Sequence, residues 1–281
     1  MKVEWENRRG CIVSMHKKQE VIAPLLSSEL GIICTPLEAV DTDALGTFSG
    51  EVERKGSPLE ALRAKCQLAI DCGWDDIVIA SEGSFGPHPQ MYFAYADDEW
   101  VMFKDVKNNL EILGRHVSTH TNFDAKEVSD WKALQLFAEQ VKFPSHALIL
   151  RPAVDVYSEM QKGISNWEKL EEVFHSIKET FGSVYVETDM RAHFNPSRMA
   201  VIQRATEDLV RMIKSVCPSC NAPGYGVVEV FPGLPCESCG MPTASTLKHL
   251  YRCQHCSHSS EHLYPRGKKK ESPMYCSFCN P

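Results

Sequence analysis

The sequence predicts an α/β core domain with a mixed, largely parallel sheet over residues 1–216, followed by a small cysteine-rich module over residues 217–281. Three observations carry this reading. Up to Val216 short apolar runs alternate with segments of helical periodicity, the order that builds parallel strands under crossover helices. Capping signatures stand in front of several of the helical segments. Eight of the twelve cysteines fall between Cys217 and Cys279, as four Cys-x-x-Cys pairs.

Gly10-Cys11-Ile12-Val13-Ser14 is the first strand. Val21, Ile22, Leu25, Leu26 and Leu30 then recur at helical spacing up to Gly31, and Ile32-Ile33-Cys34-Thr35 follows as the next strand. Ser57-Pro58-Leu59-Glu60 is a capping box with proline at the first helical position; its helix buries Leu59, Leu62, Cys66 and Ala69 before Gly73 stops it. Residues 76–80 read as a buried strand, residues 91–96 and 99–104 as a β-hairpin around Asp97-Asp98, and residues 110–119 as a further strand. A helix over 129–142 places Trp131, Leu134, Ala138 and Val141 on one face, and Phe143-Pro144 ends it before a strand over 147–150. Ser165-Asn166-Trp167-Glu168 is a second capping box, whose helix runs to Phe181-Gly182 and precedes a strand over 184–187. Asn195-Pro196 caps a long helix with Met199, Ile202, Ala205, Leu209 and Met212 as its apolar face.

Composition narrows the class. With 43% hydrophobic and 24% charged residues the chain is made like a folded protein, not a disordered one. A net charge of -7 sets the whole against polyanions, so neither nucleic acid nor an anionic membrane surface is an expected partner. Met1-Lys2-Val3-Glu4-Trp5-Glu6-Asn7-Arg8-Arg9 lacks the apolar stretch of a secretory signal, and no apolar run reaches membrane-spanning length. The expectation is a cytoplasmic protein, whose thiols serve metals in preference to disulfides. Cys11, Cys34, Cys66 and Cys72, each alone in an apolar segment, are expected to be small buried hydrophobes.

The four pairs are Cys217/Cys220, Cys236/Cys239, Cys253/Cys256 and Cys276/Cys279. Two intervening residues let both thiolates of a tight turn reach one ion, and tetrahedral zinc needs two such turns. Eight thiolates therefore predict two structural zinc ions in a double zinc-ribbon-like module. The gaps between pairs (221–235, 240–252 and 257–275) are each long enough for a short hairpin, so spacing permits sequential, nested or cross-braced pairing; ordinary ribbon loop lengths favour the sequential one. Saturation by cysteine leaves His249, His255, His258 and His262 outside the ligand set. From Cys217 onward six Lys or Arg face four Glu, and two all-thiolate sites add about -4, so the loaded module is acidic. Lys268-Lys269-Lys270 then reads as a solvated loop, and a protein is the partner to expect for the module.

Three polar segments follow strands, where α/β sheets place their sites. Ser14-Met15-His16-Lys17-Lys18 follows the first strand, Ser81-Glu82-Gly83-Ser84-Phe85-Gly86 the strand over 76–80, and Asp189-Met190-Arg191-Ala192-His193 the strand over 184–187. The His16–Lys18 turn, Glu60 five residues before Lys65 on a helix, and Glu82 after the next strand resemble the inosine/xanthosine triphosphate pyrophosphatase superfamily over residues 11–115. The chain as a whole, from the His-Lys-Lys turn through Asn195-Pro196 to the terminal Cys-Asn-Pro, is similar to a bacterial family with no assigned activity. The first resemblance implies a Mg2+-dependent hydrolase of a nucleotide or related phosphate compound. It makes Glu60 and Glu82 the catalytic carboxylates on Mg2+, and His16, Lys18 and Lys65 the phosphate-binding groups, with Arg191, His193 and Arg198 similar to its late Ser-His-Arg. Independently, Asp189, Arg191, His193 and Arg198 gather before a helix N-terminus, an arrangement suited to an anionic ligand group. The alternative is a non-enzymatic zinc protein whose α/β domain binds a ligand or acts as a scaffold.

Overall fold

A computed structural model describes residues 3–37, 56–88, 91 and 93–281. The chain forms two compact units, one of residues Trp5–Val210 and one holding Arg211–Pro281. Among the described residues no helix is long and apolar enough to cross a membrane.

The Trp5–Val210 unit contains two sheets. The first has the order β2-β1-β3-β4-β5, from β1 (Arg9–Val13), β2 (Ile33–Pro36), β3 (Ile77–Pro87), β4 (Tyr95–Asp105) and β5 (Leu110–Ser118). β1 lies parallel to both β2 and β3 because α1 (Gln19–Leu30) and α2 (Pro58–Asp71) intervene between successive strands. Gly31 ends α1 in the left-handed conformation, and Ser57 closes the expected capping box on Glu60 at the start of α2. Leu62, Cys66 and Ala69 of α2 pack on Cys11, Val13, Val78, Ala80 and Met102. Arg8 clamps the near end of the sheet, bonding Asp76 and Asp105 together.

The second sheet, in the order β6-β9-β7-β8, is antiparallel throughout. Its strands are β6 (Ala125–Val128), β7 (Leu148–Arg151), β8 (Gln161–Ile164) and β9 (Val184–Thr188), and α3 (Trp131–Gln140) and α4 (Trp167–Phe181) complete its core with Leu134, Phe137, Leu170 and Phe174. Together with the antiparallel pairings of β3, β4 and β5, this corrects the expectation of a largely parallel arrangement.

Four local expectations also change. Asp97-Asp98 is not a hairpin turn: β4 runs unbroken through it, paired with β3 from Pro87 opposite Tyr95 to Ile77 opposite Asp105. The bend between β3 and β4 lies earlier, at residues 88–94, of which 89, 90 and Tyr92 are outside the described residues. At α4 the cap is Asn166, whose Oδ1 accepts from the Lys169 amide at 2.8 Å, in place of a Ser165–Glu168 box. Cys11 and Cys66 are buried as expected, whereas Cys34 is half-buried and Cys72, at the end of α2, is exposed.

α5 (Pro196–Lys214) covers the first sheet on the face away from α2. At Gly114 of β5 a Cβ would stand 2.3 Å from both Ala205 O and Leu209 N, so only glycine lets the helix backbone approach this closely. Ile202, Ala205 and Leu209 are fully buried, and Asn195 Oδ1 caps the helix by accepting from the Arg198 amide at 3.0 Å.

The Arg211–Pro281 unit is built on a three-stranded antiparallel meander of β10 (Gly226–Pro232), β11 (Thr246–Arg252) and β12 (Ser259–Leu263). Buried Glu271 joins its outer loops, accepting from Ser245 Oγ at 2.6 Å, the Ser272 amide at 2.8 Å and Lys268. Lys268 of the basic run is thus an ion-pair partner, while Lys269 and Lys270 are exposed.

Candidate functional site

The eight C-terminal cysteines form two groups of four, Cys217/Cys220/Cys253/Cys256 and Cys236/Cys239/Cys276/Cys279. The first pair meets the third and the second meets the fourth, which overturns the sequential arrangement. The meander explains why. Gly226, Arg252 and Ser259 share one end of the sheet, and Pro232, Thr246 and Leu263 the other. The chain delivers one cysteine pair before β10 and one after each strand, so alternate pairs arrive at the same end. Each gap holds one strand, where a hairpin would have returned the chain to where it began.

All four pairs close a turn with the same bond, Asn280 donating to the Cys276 carbonyl at 2.8 Å in the last, and three of them share its left-handed form. The amide of the fifth residue donates to the first cysteine's carbonyl (Asn221 to Cys217 at 2.9 Å, Gly240 to Cys236 at 3.0 Å, Ser257 to Cys253 at 3.1 Å), and that residue is left-handed in all three. Facing sulfurs stand 3.7 Å apart for Cys217–Cys256, Cys220–Cys253 and Cys239–Cys276, and 3.9 Å for Cys236–Cys279. Tetrahedral zinc with Zn–S bonds of about 2.3 Å puts its sulfurs about 3.8 Å apart. The thiolates are therefore arranged to hold an ion without rearrangement. One thiol of each site is held down at about 7 by backbone amides, Cys256 by the His258 N–H and Cys276 by those of Cys279 and Phe278, while burial and the neighbouring thiols push Cys220, and the neighbouring thiols and burial push Cys279, up to about 12.

In the Trp5–Val210 unit a second constellation lies just past the carboxyl end of β1, against the middle of β3, which runs on through residues 81–86 where the sequence predicts a segment following the strand. Lys18, Lys65 and Arg198 are only 4%, 9% and 1% exposed. Lys65 bonds Glu82 and, at 3.1 Å, the Ser81 carbonyl. Arg198 Nε donates to Glu99 Oε1 at 2.6 Å, its Nη1 donates to the Met190 carbonyl, and its guanidinium lies over Phe85. Lys18 Nζ stands 4.0 Å from Glu99 Oε2. Burial, then repulsion from Arg198, lowers the Lys18 ammonium to about 8.

Outside this knot, Asp189 accepts from Arg191 Nη2 at 2.6 Å and from the Gly163 amide at 3.1 Å, and the His193 ring stacks on His16 with centroids 5.1 Å apart. His16 and Lys17 are successive non-glycine residues with φ of 65° and 60°, a strained turn of the kind that functional sites retain. Burial, then the neighbouring His193, brings His16 down to about 3. The imidazole is neutral at physiological pH.

Of the nine residues singled out from the sequence of this unit, eight therefore lie along one chain of electrostatic neighbours: His16, Lys18, Lys65, Glu82, Asp189, Arg191, His193 and Arg198. Glu60 is elsewhere. Its Oε2 accepts from Ser57 N at 2.6 Å and Ser57 Oγ at 2.9 Å on an exposed helix end, and the Ser57 amide holds the carboxyl below its usual range. Glu82, by contrast, is held by Lys65.

The sequence reading missed Asp97 and Glu99, both buried and two apart on one face of β4. Asp97 Oδ1 and Glu99 Oε2 are buried without a hydrogen-bond partner. Burial, then the Glu99 charge, pushes the Asp97 carboxyl up to about 8. Gly83 makes room for Glu99, since a Cβ there would lie 2.2 Å from Glu99 Oε1. The alternation Asp97, Glu99, Val101, Phe103 was the signal, hidden by reading Asp97-Asp98 as a turn.

No curated protein and no solved structure matches the chain. From residue 65 to residue 281 it matches the model of a domain of unknown function, DUF6671, and the chain belongs to that family.

Proposed function

We propose that the Trp5–Val210 unit binds and hydrolyses a phosphate compound, a nucleotide or a relative of one, with the help of a divalent cation. One observation carries the reading: three buried cations, Lys18, Lys65 and Arg198, converge on three buried carboxylates, Glu82, Asp97 and Glu99, at the carboxyl edge of a parallel strand pair. Burying so many charges is unfavourable unless they are used, and perturbed charged clusters concentrate at functional sites.

In this reading Lys18 and Lys65 neutralise the phosphates, and Arg191 with the His16–His193 stack meets the rest of the ligand. Asp97 and Glu99 hold the cation, with Glu82 beside them and Arg198 fixing Glu99; Glu60 is left to its helix cap. Bound there, Mg2+ would polarise a phosphoryl oxygen. The test is phosphate or pyrophosphate release from a panel of ordinary and deaminated nucleotides with Mg2+ or Mn2+. Metal-dependent release that disappears in Asp97→Asn is expected; a wild-type protein that releases none above a buffer control removes the reading.

A non-enzymatic role has its own support in the zinc module. Met274, Tyr275 and Phe278, 67%, 65% and 70% exposed, flank Cys276 and Cys279, an apolar group suited to a protein partner. A module that captures a partner equally well after Asp97→Asn, in a protein without phosphatase activity, would favour it.

A further inference from the structure

A serine–histidine relay lies apart from both centres. His146, 5% exposed, stands between Ser145 and Ser197. Ser145 Oγ donates to the Lys142 carbonyl at 2.7 Å, which commits its only proton. At 2.9 Å from His146 Nδ1 it can therefore only accept, so Nδ1 carries the proton and Nε2 the lone pair. Nε2 faces Ser197 Oγ at 2.9 Å and the Ser197 amide at 3.3 Å, so the Ser197 hydroxyl donates to it. Lys142 Nζ is 3.4 Å from the same oxygen. Burial, then the Lys142 charge, keeps this imidazole below its ordinary range and hence neutral, the form a base requires.

Ser197 also opens onto space. It lines a cavity of about 420 Å3, whose wall is apolar at Pro196, Ala200 and Val201 and polar at His116 and Arg204. That volume lies within the range of small-molecule sites. Neighbouring helix residues point about 100° apart, which is why Ser197 serves this cavity while Arg198 serves the charged knot.

We infer that Ser197 is a nucleophile activated by His146, and that the cavity accepts a small carboxylic ester. A nucleophile, a base within hydrogen-bond reach and a third group that orients the base are the parts this chemistry needs. Ser197 Oγ attacks the carbonyl carbon as its proton passes to Nε2, and Lys142 Nζ, 3.4 Å from Ser197 Oγ, and Arg204 in the cavity wall are cations available to the oxyanion that forms. Collapse breaks the bond to the alkoxide, which leaves with the Nε2 proton. Water, deprotonated by the same nitrogen, then releases the carboxylic acid and restores the serine.

The experiment uses the full-length, zinc-loaded chain with a fluorophosphonate label, mapped by peptide mass spectrometry, and p-nitrophenyl acetate as substrate. One adduct on Ser197 is expected, with labelling and esterase rate at least tenfold lower in His146→Gln and both absent in Ser197→Ala. Phosphate release is unchanged by Ser197→Ala, so the two activities fail separately. The wild-type labelling needs no variant to fold: an unlabelled Ser197 overturns the proposal, as does a labelling rate that His146→Gln leaves alone at an unchanged thermal midpoint.

Discussion

The zinc module and the charged knot solve the problem of gathering polar groups in opposite ways. In the module each half-site is a single tight turn, so the ligands are local in sequence and their backbone bonds repeat from turn to turn. In the knot, Lys18 opens α1, Lys65 lies on α2, Glu82 lies in the middle of β3, Asp97 and Glu99 lie within β4, and Arg198 belongs to α5. The difference teaches what each can lose. The module depends on its ions, because a three-stranded sheet of this size has little core of its own. The knot depends on charge balance within a large hydrophobic unit.

The strongest test of that contrast is at the cysteines. Elemental analysis of the wild type should give two zinc ions per chain. Cys217→Ser with Cys253→Ser should leave one ion, since both changes fall in the same site, whereas Cys217→Ser with Cys236→Ser should leave none. A sequential module would lose both ions in the first double variant. Chelation withdraws about 10 kcal/mol or more per structural ion, so it should unfold the Arg211–Pro281 unit while β-sheet circular dichroism of the rest survives.

Next in size is Arg198→Met. It strands Glu99 as a buried charge, a loss of about 3–5 kcal/mol, which lowers the melting midpoint by on the order of 10 °C. A shift under about 2 °C would mean that the Arg198–Glu99 pair contributes little to the fold.

A subtler effect lies in pH. Asp97 is raised from 3.8 to about 8, so between those values the folded state holds a proton that the unfolded state has released. Its contribution to stability is complete below 3.8 and is lost as pH rises through about 8. His16, lowered from 6.5 to about 3, acts in the opposite sense but only below 6.5, and Lys18, lowered from 10.5 to about 8, acts only above 8. Between pH 6.5 and 8, therefore, the wild type should lose stability relative to Asp97→Asn. Parallel melting curves across that window would remove the assignment.

The smallest expected change is at Glu60→Gln. Glutamine still completes the capping box, so stability should move by less than about 0.5 kcal/mol and any phosphate release should persist. Loss of release would return Glu60 to the catalytic group.

What the sequence made readable follows from the range of the interactions involved. The Ser57 cap, the Asn195 cap and the left-handed Gly31 are decided within a turn of helix, and all three are where the local pattern puts them. The eight thiol ligands were legible because their spacing is itself the turn. Which pairs meet was not, since that depends on whether the gaps at 221–235 and 240–252 each hold one strand or two. Asp97 and Glu99 escaped for a related reason. Two acids in succession favour a turn on local propensity, and only the distant Lys18 and Arg198 make a buried strand position tolerable for them.

The interleaved pairing also bears on how the module acquires its metal. Cys236 and Cys239 leave the ribosome before Cys253, so for a time the nascent chain offers Cys217, Cys220, Cys236 and Cys239 as the one complete set of thiolates. Closing the span from Cys220 to Cys236 costs less entropy than closing the roughly twofold longer one from Cys220 to Cys253, but a doubling of loop length is worth only about 0.6 kcal/mol. The early, wrong site is thus almost as accessible as the right one, and pairing of β10 with β11 is what discriminates between them. Zinc supplied before β11 is made should trap a slowly exchanging misfolded form, and zinc supplied after it should not.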